Sequence, residues 1–127
     1  MCISHKPELL KKWKPKKLFI AYKTVDKNNR STIFDQKQWF LGVHSSVVSR
    51  LSLNGYAVRG FYVYIDREMA FRNKELYGHC KVIAVHIDPK DVVYAGYCDP
   101  AAVGWRIFVC RRLTVKSLRG LREGVVA

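Results

Sequence analysis

One segment, residues 80–87, constrains the fold more than any other part of the sequence. Its apolar side chains alternate, with Val82, Ala84 and His86 on one side of an extended chain and Ile83, Val85 and Ile87 on the other. A strand whose two faces are both mostly apolar is typical of the buried middle of a sheet. The sequence therefore predicts a sheet with this strand near its centre.

Five further segments predict strands because they are dense in aromatic and β-branched residues. They span residues 18–25, 32–41, 56–65, 92–96 and 105–115. The polar residues 26–31 predict a turn that closes a hairpin between the first two. Residues 88–91 predict a second turn, since proline presets the turn and aspartates bond nearby amides. Gly60 interrupts its strand, which predicts a bulge or a close backbone approach.

Three short helices are predicted from the spacing of apolar residues and from capping and breaking residues. They span residues 7–13, 43–54 and 67–77. Pro15 would stop the first helix, since proline cannot continue one. Asp66 is a suitable N-cap for the third, and Gly78 is a suitable stop.

Together these elements predict an α+β fold. We expect a single domain, residues 1–127, with a mixed, mostly antiparallel sheet of about five to six strands and two or three short helices packed against it. A basic N-terminal arm (residues 1–17) would precede the core (residues 18–115). A loop would span residues 98–104, and a basic tail (residues 116–127) would fray from Leu118 onward.

The composition is that of a domain with its own core. A chain of 127 residues that is 49% hydrophobic buries roughly two-thirds of the surface of its unfolded form. No apolar run approaches the ~20 residues that span a bilayer, and the basic N-terminus lacks the apolar segment of a signal peptide. We therefore expect no membrane association and a cytoplasmic location, which is the host cytoplasm if the chain is phage-encoded.

No motif for a metal, a cofactor or catalysis is present. The four cysteines are far apart and the four histidines show no short ligand spacing. There is no Walker loop and no GxGxxG segment. No two acidic residues suggest a carboxylate dyad, and His86, inside an apolar strand, is typical of a core histidine. We expect no cofactor, no metal and a protein that is not an enzyme.

The net charge of +13 is concentrated in two blocks. Residues 1–30 carry +7, residues 31–104 carry +1 and residues 105–127 carry +5. If the two ends lie side by side, they form one strongly positive face, which polyphosphate neutralises well. A solubilising tail and a lysine-rich edge strand would also explain the lysines. Neither of these roles explains well why the second block contains mainly arginine. Arginine binds phosphate with a fork of donors and stacks on bases.

Aromatic residues are interleaved with these cations, as in single-strand binding surfaces. The predicted nucleic-acid contacts are Lys12, Trp13, Lys14, Lys16, Lys17, Tyr22, Lys23, Arg30, Arg106, Arg111 and Arg112. Among these, Trp13 and Tyr22 are expected to stack on bases and the cations to contact phosphates. No recognition helix for duplex readout is evident, so RNA or single-stranded nucleic acid is favoured over a specific duplex.

Three segments, in order, resemble a domain of phage rapid-lysis rIIB-type proteins. Residues 17–25 are similar to the family's FLAYKKV strand, residues 60–64 to its GLHF strand and residues 85–93 to its KINPADVV segment. The resemblance covers roughly residues 17–115 and departs from the family at residues 56–59. The resemblance specifies the fold better than the function. The function that it implies is a phage accessory role such as counter-defence.

The same order of elements also resembles small ADP-ribosyltransferase-like phage proteins, including some anti-CRISPR proteins. That resemblance implies NAD as substrate and a glutamate on a late strand. The late strand, residues 105–112, has no acid, and Glu123 lies in the tail.

We therefore expect a small, basic, phage-type protein that binds nucleic acid without catalysis, alone or in a host protein–nucleic-acid complex. One alternative is an ADP-ribosyltransferase-like protein that binds NAD or a signalling nucleotide in a pocket between the Gly60 strand and the Asp66 helix. Another is a module that binds an acidic protein partner through the same cations.

Overall fold

The computed structural model describes residues 3–31, 37–50, 56–57, 59–76, 78, 81–98 and 106–124. The strands in these ranges are β1 (Ile3–His5), β2 (Phe19–Val25), β3 (Gly42–Ser45), β4 (Tyr56–Ala57), β5 (Phe61–Tyr64), β6 (Lys81–Ile87), β7 (Val92–Cys98), β8 (Arg106–Cys110) and β9 (Arg112–Val115). The helices are α1 (Pro7–Trp13), α2 (Arg67–Leu76) and a 3₁₀ turn at Pro89–Asp91.

The strands form one sheet in the order β3-β9-β6-β2-β5-β8-β7-β1-β4. Each pairing between described strands is antiparallel. The α+β prediction with one domain and two or three short helices is confirmed. The strand number was underestimated, because the described chain has nine strands, of which seven have four or more residues.

The sheet consists of two halves that meet at one residue pair in the described chain, Tyr22 of β2 opposite Tyr64 of β5. The first half is β3-β9-β6-β2 and the second half is β5-β8-β7-β1-β4. Side chains from both halves share one core cluster, and the rings of Phe19 and Phe108 lie 5.7 Å apart between centroids. The halves therefore pack face to face, and each has an inner face toward this core.

The two helices pack on different halves of the sheet or on their junction. α1 packs against β7, and α2 packs against β2, β5 and β6. Phe71 and Ala70 of α2 join Tyr62, Ile107 and Val109 in a second apolar cluster. α2 lies across the junction of the halves, and no helix in the described ranges packs on the rest of the first half's outer face. We call this surface the open face.

The central position of β6 is confirmed, since it pairs with β2 on one edge and β9 on the other. The predictions for α1, β2 and the turn at residues 88–91 are also confirmed. Gly60 separates β4 from β5 with φ +138°, and a Cβ there would lie 2.5 Å from Val109 Cγ1. The predicted close backbone approach at Gly60 is therefore confirmed.

The hairpin between residues 18–25 and 32–41 is wrong. β2 pairs with β5 and β6, while Arg30 and Gln38 form an isolated bridge. Trp39, which looked like a strand residue, is fully buried, and its backbone N–H donates to the Asn29 carbonyl at 2.8 Å. Gly42 begins β3 instead of ending a strand. Residues 32–36 lie outside the described residues.

The helix predicted at residues 43–54 is wrong for its described part. Residues 42–45 form β3, which pairs with β9, and residues 46–50 are irregular. Tertiary pairing outweighs the weak helical spacing of the valines, because the cross-strand ladder holds Val43 opposite Thr114. Residues 51–54 lie outside the described residues.

The long strand predicted at residues 105–115 is two strands. β8 ends at Cys110 and β9 begins at Arg112, and the Arg111 N–H donates to the Asp91 carbonyl at 2.9 Å. The chain leaves the second half at Arg111 and enters the first half. Residues 99–105, which include most of the predicted loop and Trp105, lie outside the described residues.

Neither end of the chain is a loose appendage in its described part. β1, within the predicted arm, pairs with β4 and β7. In the predicted tail, Leu121 N–H donates to the Val82 carbonyl at 2.8 Å and Lys81 Nζ donates to the Leu118 carbonyl at 2.6 Å. Residues 118–121 therefore continue along β6, beyond the end of β9.

The helices in the described ranges are all too short or too polar to cross a membrane.

Candidate nucleic-acid interface

Strand β2 separates two residues that the sequence analysis grouped together. Successive side chains of a strand point to opposite faces. Tyr22 is half-buried on the open face, whereas Lys23 is 3% exposed on the inner face. The two cannot contact the same ligand.

Lys23 has a structural role. Its Nζ donates to the Tyr62 carbonyl at 2.5 Å and lies 4.9 Å from the centre of the Trp39 ring. The side chain joins β2 to β5 and to the buried tryptophan. The prediction that Lys23 contacts phosphate is therefore wrong, because its amine has no access to the surface.

The open face has a row of four cross-strand neighbours. Ile20 of β2 lies opposite His86 of β6, His86 opposite Thr114 of β9, and Thr114 opposite Val43 of β3. Ile20 is 48% exposed and Val43 is 65% exposed, with the other two half-buried. Neighbouring strands lie about 4.8 Å apart, so this row is about 14 Å long.

Two cations flank the row on β9 and just beyond it. Arg112 precedes Thr114 by two residues and Lys116 follows it by two, so the alternation of a strand places both on the same face as Thr114. Both are exposed, and Arg112 Nε donates to Ser45 Oγ at 3.3 Å. Partial burial and the Lys116 charge together lower the pKa of His86 below its ordinary value. Lys116, which was not predicted as a contact, therefore acts on this face.

The first basic block reaches the edge of the same face. β2 begins at Phe19, opposite Ile87 at the end of β6, and the antiparallel β9 begins at that end too. The exposed Lys16 and Lys17 come just before β2, with Leu18 exposed at 74%. The structure therefore brings these two lysines and Arg112 to one end of the first half. Arg30 is exposed at the opposite end of β2.

Trp13 and Arg106 bring the two ends of the chain together at a second place. The Arg106 guanidinium lies 5.1 Å from the centre of the Trp13 ring, and Tyr97 packs edge-on against the same ring. Asp66 accepts two hydrogen bonds from Arg106, at 2.9 and 2.6 Å. The hydrogen bonds from Arg106 to Asp66 raise the pKa of Arg106. Asp66, predicted as an N-cap, thus anchors the start of α2 to β8.

In this cluster, the two predicted nucleic-acid contacts Trp13 and Arg106 are already engaged with other side chains. Arg106 is neutralised by Asp66, and one face of Trp13 is covered by Arg106. Trp13 also packs against the core, as does Leu10. Trp13 and Arg106 therefore stabilise the domain. Tyr97 is 37% exposed beside them, an aromatic that the sequence analysis missed.

The other predicted contacts lie apart from the row. Arg111 donates to Asp91 Oδ1 at 3.0 Å and to the Lys90 carbonyl at 3.1 Å, so its charge is matched by a buried carboxylate. Lys12 is exposed and Lys14 is half-buried in and after α1, which packs on the second half.

A cleft of about 700 Å³ opens beside the row. Ile20, Tyr22 and Ala84 form its sheet side, and α2 with the C-terminal segment forms the other side. The helix and the segment contribute Arg67, Glu68, Phe71, Arg72, Glu75, Leu121, Glu123 and Gly124. A hydrogen bond from Arg67 to the Arg122 carbonyl joins these two walls. The pocket predicted from the sequence was next to the same helix, but between it and the Gly60 strand.

The cleft is locally acidic in a strongly basic chain. Three carboxylates and two guanidiniums line it, and Arg67 is already engaged with the Arg122 carbonyl and the Phe71 ring. Its sheet side is apolar apart from the tyrosine hydroxyl. Electrostatics therefore disfavour a phosphate group inside the cleft and favour a neutral, flat group with hydrogen-bond donors.

This face is not evident from the sequence because it depends on the register of strand pairing. Ile20, His86, Thr114 and Val43 come from four strands that are far apart in sequence. Strand alternation alone could have placed Tyr22 and Lys23 on opposite faces. Only the pairing of β6 with β9 shows that Lys116 lies near His86.

No three histidine, cysteine, aspartate or glutamate side chains come together as metal ligands within the described ranges. Comparisons with protein-family models, with curated proteins and with solved structures found no match.

Proposed function

We propose that this protein binds single-stranded nucleic acid, without catalysis, across the open face. The observation that supports it is the partly exposed row from Ile20 to Val43 with Arg112 and Lys116 on either side. Lys16 and Lys17 extend the positive charge at one edge. Apolar and cationic side chains thus share one surface.

The spacing of the cations suits a nucleic-acid backbone. Arg112 and Lys116 are four residues apart, which is about 13 Å along an extended chain. Two cations that far apart can contact different phosphates of the same strand. Bases turned toward the sheet would meet Ile20, His86 and Val43. Such contacts carry little sequence information, so affinity comes mainly from the backbone.

The biological setting follows only from the resemblance to phage proteins. We propose a phage accessory role, such as counter-defence, in which the protein binds RNA or single-stranded DNA alone or within a host complex. The basic charge and the open face are compatible with either partner.

The test is the salt dependence of binding to a fluorescent uridine 12-mer, measured by anisotropy. For a single strand the log–log slope falls by about 0.7 for each phosphate neutralised. We expect Arg112→Gln, Lys116→Gln and Lys17→Gln each to weaken binding and to reduce the slope by about that amount.

Lys27→Gln is the matched control. It removes the same charge from an exposed position in the turn after β2, away from the open face. Equal effects of Lys27→Gln and Arg112→Gln would show a non-specific charge effect and would exclude the open face as the interface.

A second proposal is capture of a nucleotide such as NAD in the cleft beside α2. The cleft volume of about 700 Å³ lies within the range of small-ligand sites, but its three carboxylates disfavour a pyrophosphate. Binding would raise the melting temperature by mass action, with a stabilisation that grows as the logarithm of the ligand excess over Kd. No shift with millimolar NAD or with cyclic dinucleotides would exclude this proposal.

A further inference from the structure

We propose that the cleft beside α2 accepts one unpaired base that carries an exocyclic amino group, from a strand lying on the open face. Cytosine, adenine and guanine have such a group, whereas uracil and thymine do not. This inference rests on the proposed function and specifies which part of the nucleic acid each surface takes.

The open face and the cleft are continuous. Ile20 belongs to the exposed row and also lines the cleft, and Tyr22 follows on the same face of β2. Ala84, opposite Tyr22 on β6, completes this wall. A strand held by Arg112 and Lys116 therefore passes the mouth of the cleft, and one of its bases can turn inward.

The walls suit a flat ring. Tyr22 supplies an aromatic group, and Ala84, Phe71 and Leu121 supply apolar surface around it. Unpaired bases stack on aromatic side chains with little dependence on sequence. A volume of about 700 Å³ leaves room for a base and its sugar.

The charges select the base over the phosphate. Glu68, Glu75 and Glu123 repel a phosphate but accept hydrogen bonds from an amino group, as carboxylates do from cytosine N4. At the position of the cytosine amino group uracil has a carbonyl oxygen, which would face a carboxylate oxygen. Arg72, the remaining cation of the cleft, is exposed at its wall and is available to a backbone phosphate outside.

The experiment compares 12-mers of cytidine, uridine and abasic residues on the full chain at one salt concentration. We expect the wild type to bind the cytidine 12-mer about tenfold more tightly than the uridine 12-mer, which is the size of discrimination from one well-placed base contact. Tyr22→Ala should abolish this preference and Tyr22→Phe should keep most of it. Arg112→Gln should weaken binding of all three oligonucleotides by the same factor.

The triple variant Glu68→Gln, Glu75→Gln, Glu123→Gln separates recognition from a structural effect. Removing three negative charges should tighten binding of the uridine and abasic 12-mers while reducing the preference for cytidine. An unchanged preference for cytidine in the triple variant would overturn the assignment of these carboxylates to base recognition.

The possible failures are distinguishable. If no oligonucleotide binds with salt dependence, the proposed function fails and this inference fails with it. If all three bind equally to the wild type, or if Tyr22→Ala weakens all three by one factor, only the base site is overturned.

Discussion

At the scale of single residues, strand alternation decides which cations reach solvent. Lys23 and Tyr22 are adjacent in sequence, yet Lys23 lies under Trp39 and Tyr22 faces the cleft. Arg106 and Arg111 are drawn to Asp66 and Asp91. The basic residues that remain exposed on one surface are fewer than the sequence suggests, and their positions depend on pairing.

Lys23→Met tests the structural role of the buried lysine. Loss of its hydrogen bond to the Tyr62 carbonyl should lower the free energy of unfolding by about 1.5–3 kcal/mol, the range for hydrogen bonds to charged groups. Urea denaturation measures this. The folded variant should keep the oligonucleotide affinity and salt slope of the wild type, and a reduced slope would restore Lys23 to the interface.

His86 provides a pH test. Its pKa is lowered in the folded protein, first by burial and then by Lys116, relative to an ordinary value of 6.5. The unfolded chain therefore binds the proton more readily, and stability is lost as the pH falls below about 6.5 toward the lowered pKa. His86→Gln should lessen this loss. Urea midpoints at pH 7.5 and pH 5 measure it, and an equal loss in the variant would contradict it.

The same histidine reports on the ligand. A phosphate backbone over Lys116 should offset the lysine's charge and raise the pKa of His86 toward its ordinary value. NMR titration of the imidazole, with and without the uridine 12-mer, measures the shift. Lys116→Gln should raise the pKa of His86 without any ligand. An unchanged titration in the complex would place the nucleic acid elsewhere.

At the scale of elements, local signals predicted which segments form strands and helices better than how they pair. The β6 strand, α1 and the turn at residues 88–91 follow from alternation, proline and aspartate chemistry close in sequence. The hairpin predicted between residues 18–25 and 32–41 is wrong because β2 pairs with β5 and β6, which are distant in sequence, and because Trp39 packs against Phe61 of β5. The break at Arg111 is also invisible locally, because it occurs where the chain changes from one half of the sheet to the other.

Gly60→Ala tests the close approach of β5 to β8. A methyl group there meets Val109, and φ +138° strains any residue with a side chain, so we expect about 2–3 kcal/mol of destabilisation. Gly78→Ala is the control, because Gly78 has φ +68° with nothing within 4 Å of its added Cβ. It should cost about 1 kcal/mol. Thermal unfolding compares the two, and equal losses would contradict the steric argument.

At the scale of the whole molecule, one chain carries a positive sheet face beside an acidic cleft. The charge excess of the two ends and the α+β class could be predicted from the sequence, and the structure has both. It does not show that the C-terminal segment folds back along β6, because that depends on hydrogen bonds from Leu121 to Val82 and from Lys81 to Leu118. The candidate site therefore required the full topology.

Leu121→Ala tests the contribution of the C-terminal segment. Leu121 packs against the second apolar cluster and lines the cleft. Because it is only half-buried, its truncation should cost about 1 kcal/mol, less than the ~2–5 kcal/mol of a fully buried leucine. We expect the preference for cytidine to fall while the salt slope of uridine binding stays constant, because the open face is intact. Anisotropy measures both. A change in slope without loss of preference would contradict the division between face and cleft.

The burial of Lys23 also has a consequence for chemical reactivity. An amine-reactive ester modifies lysines that solvent reaches. Every lysine of this chain except Lys23 is either partly or fully exposed to solvent. Lys23 is thus an internal standard in a labelling experiment followed by mass spectrometry. Its modification would report unfolding, whereas slower labelling of Lys16, Lys17 and Lys116 with Lys23 unmodified would trace the footprint of a bound strand.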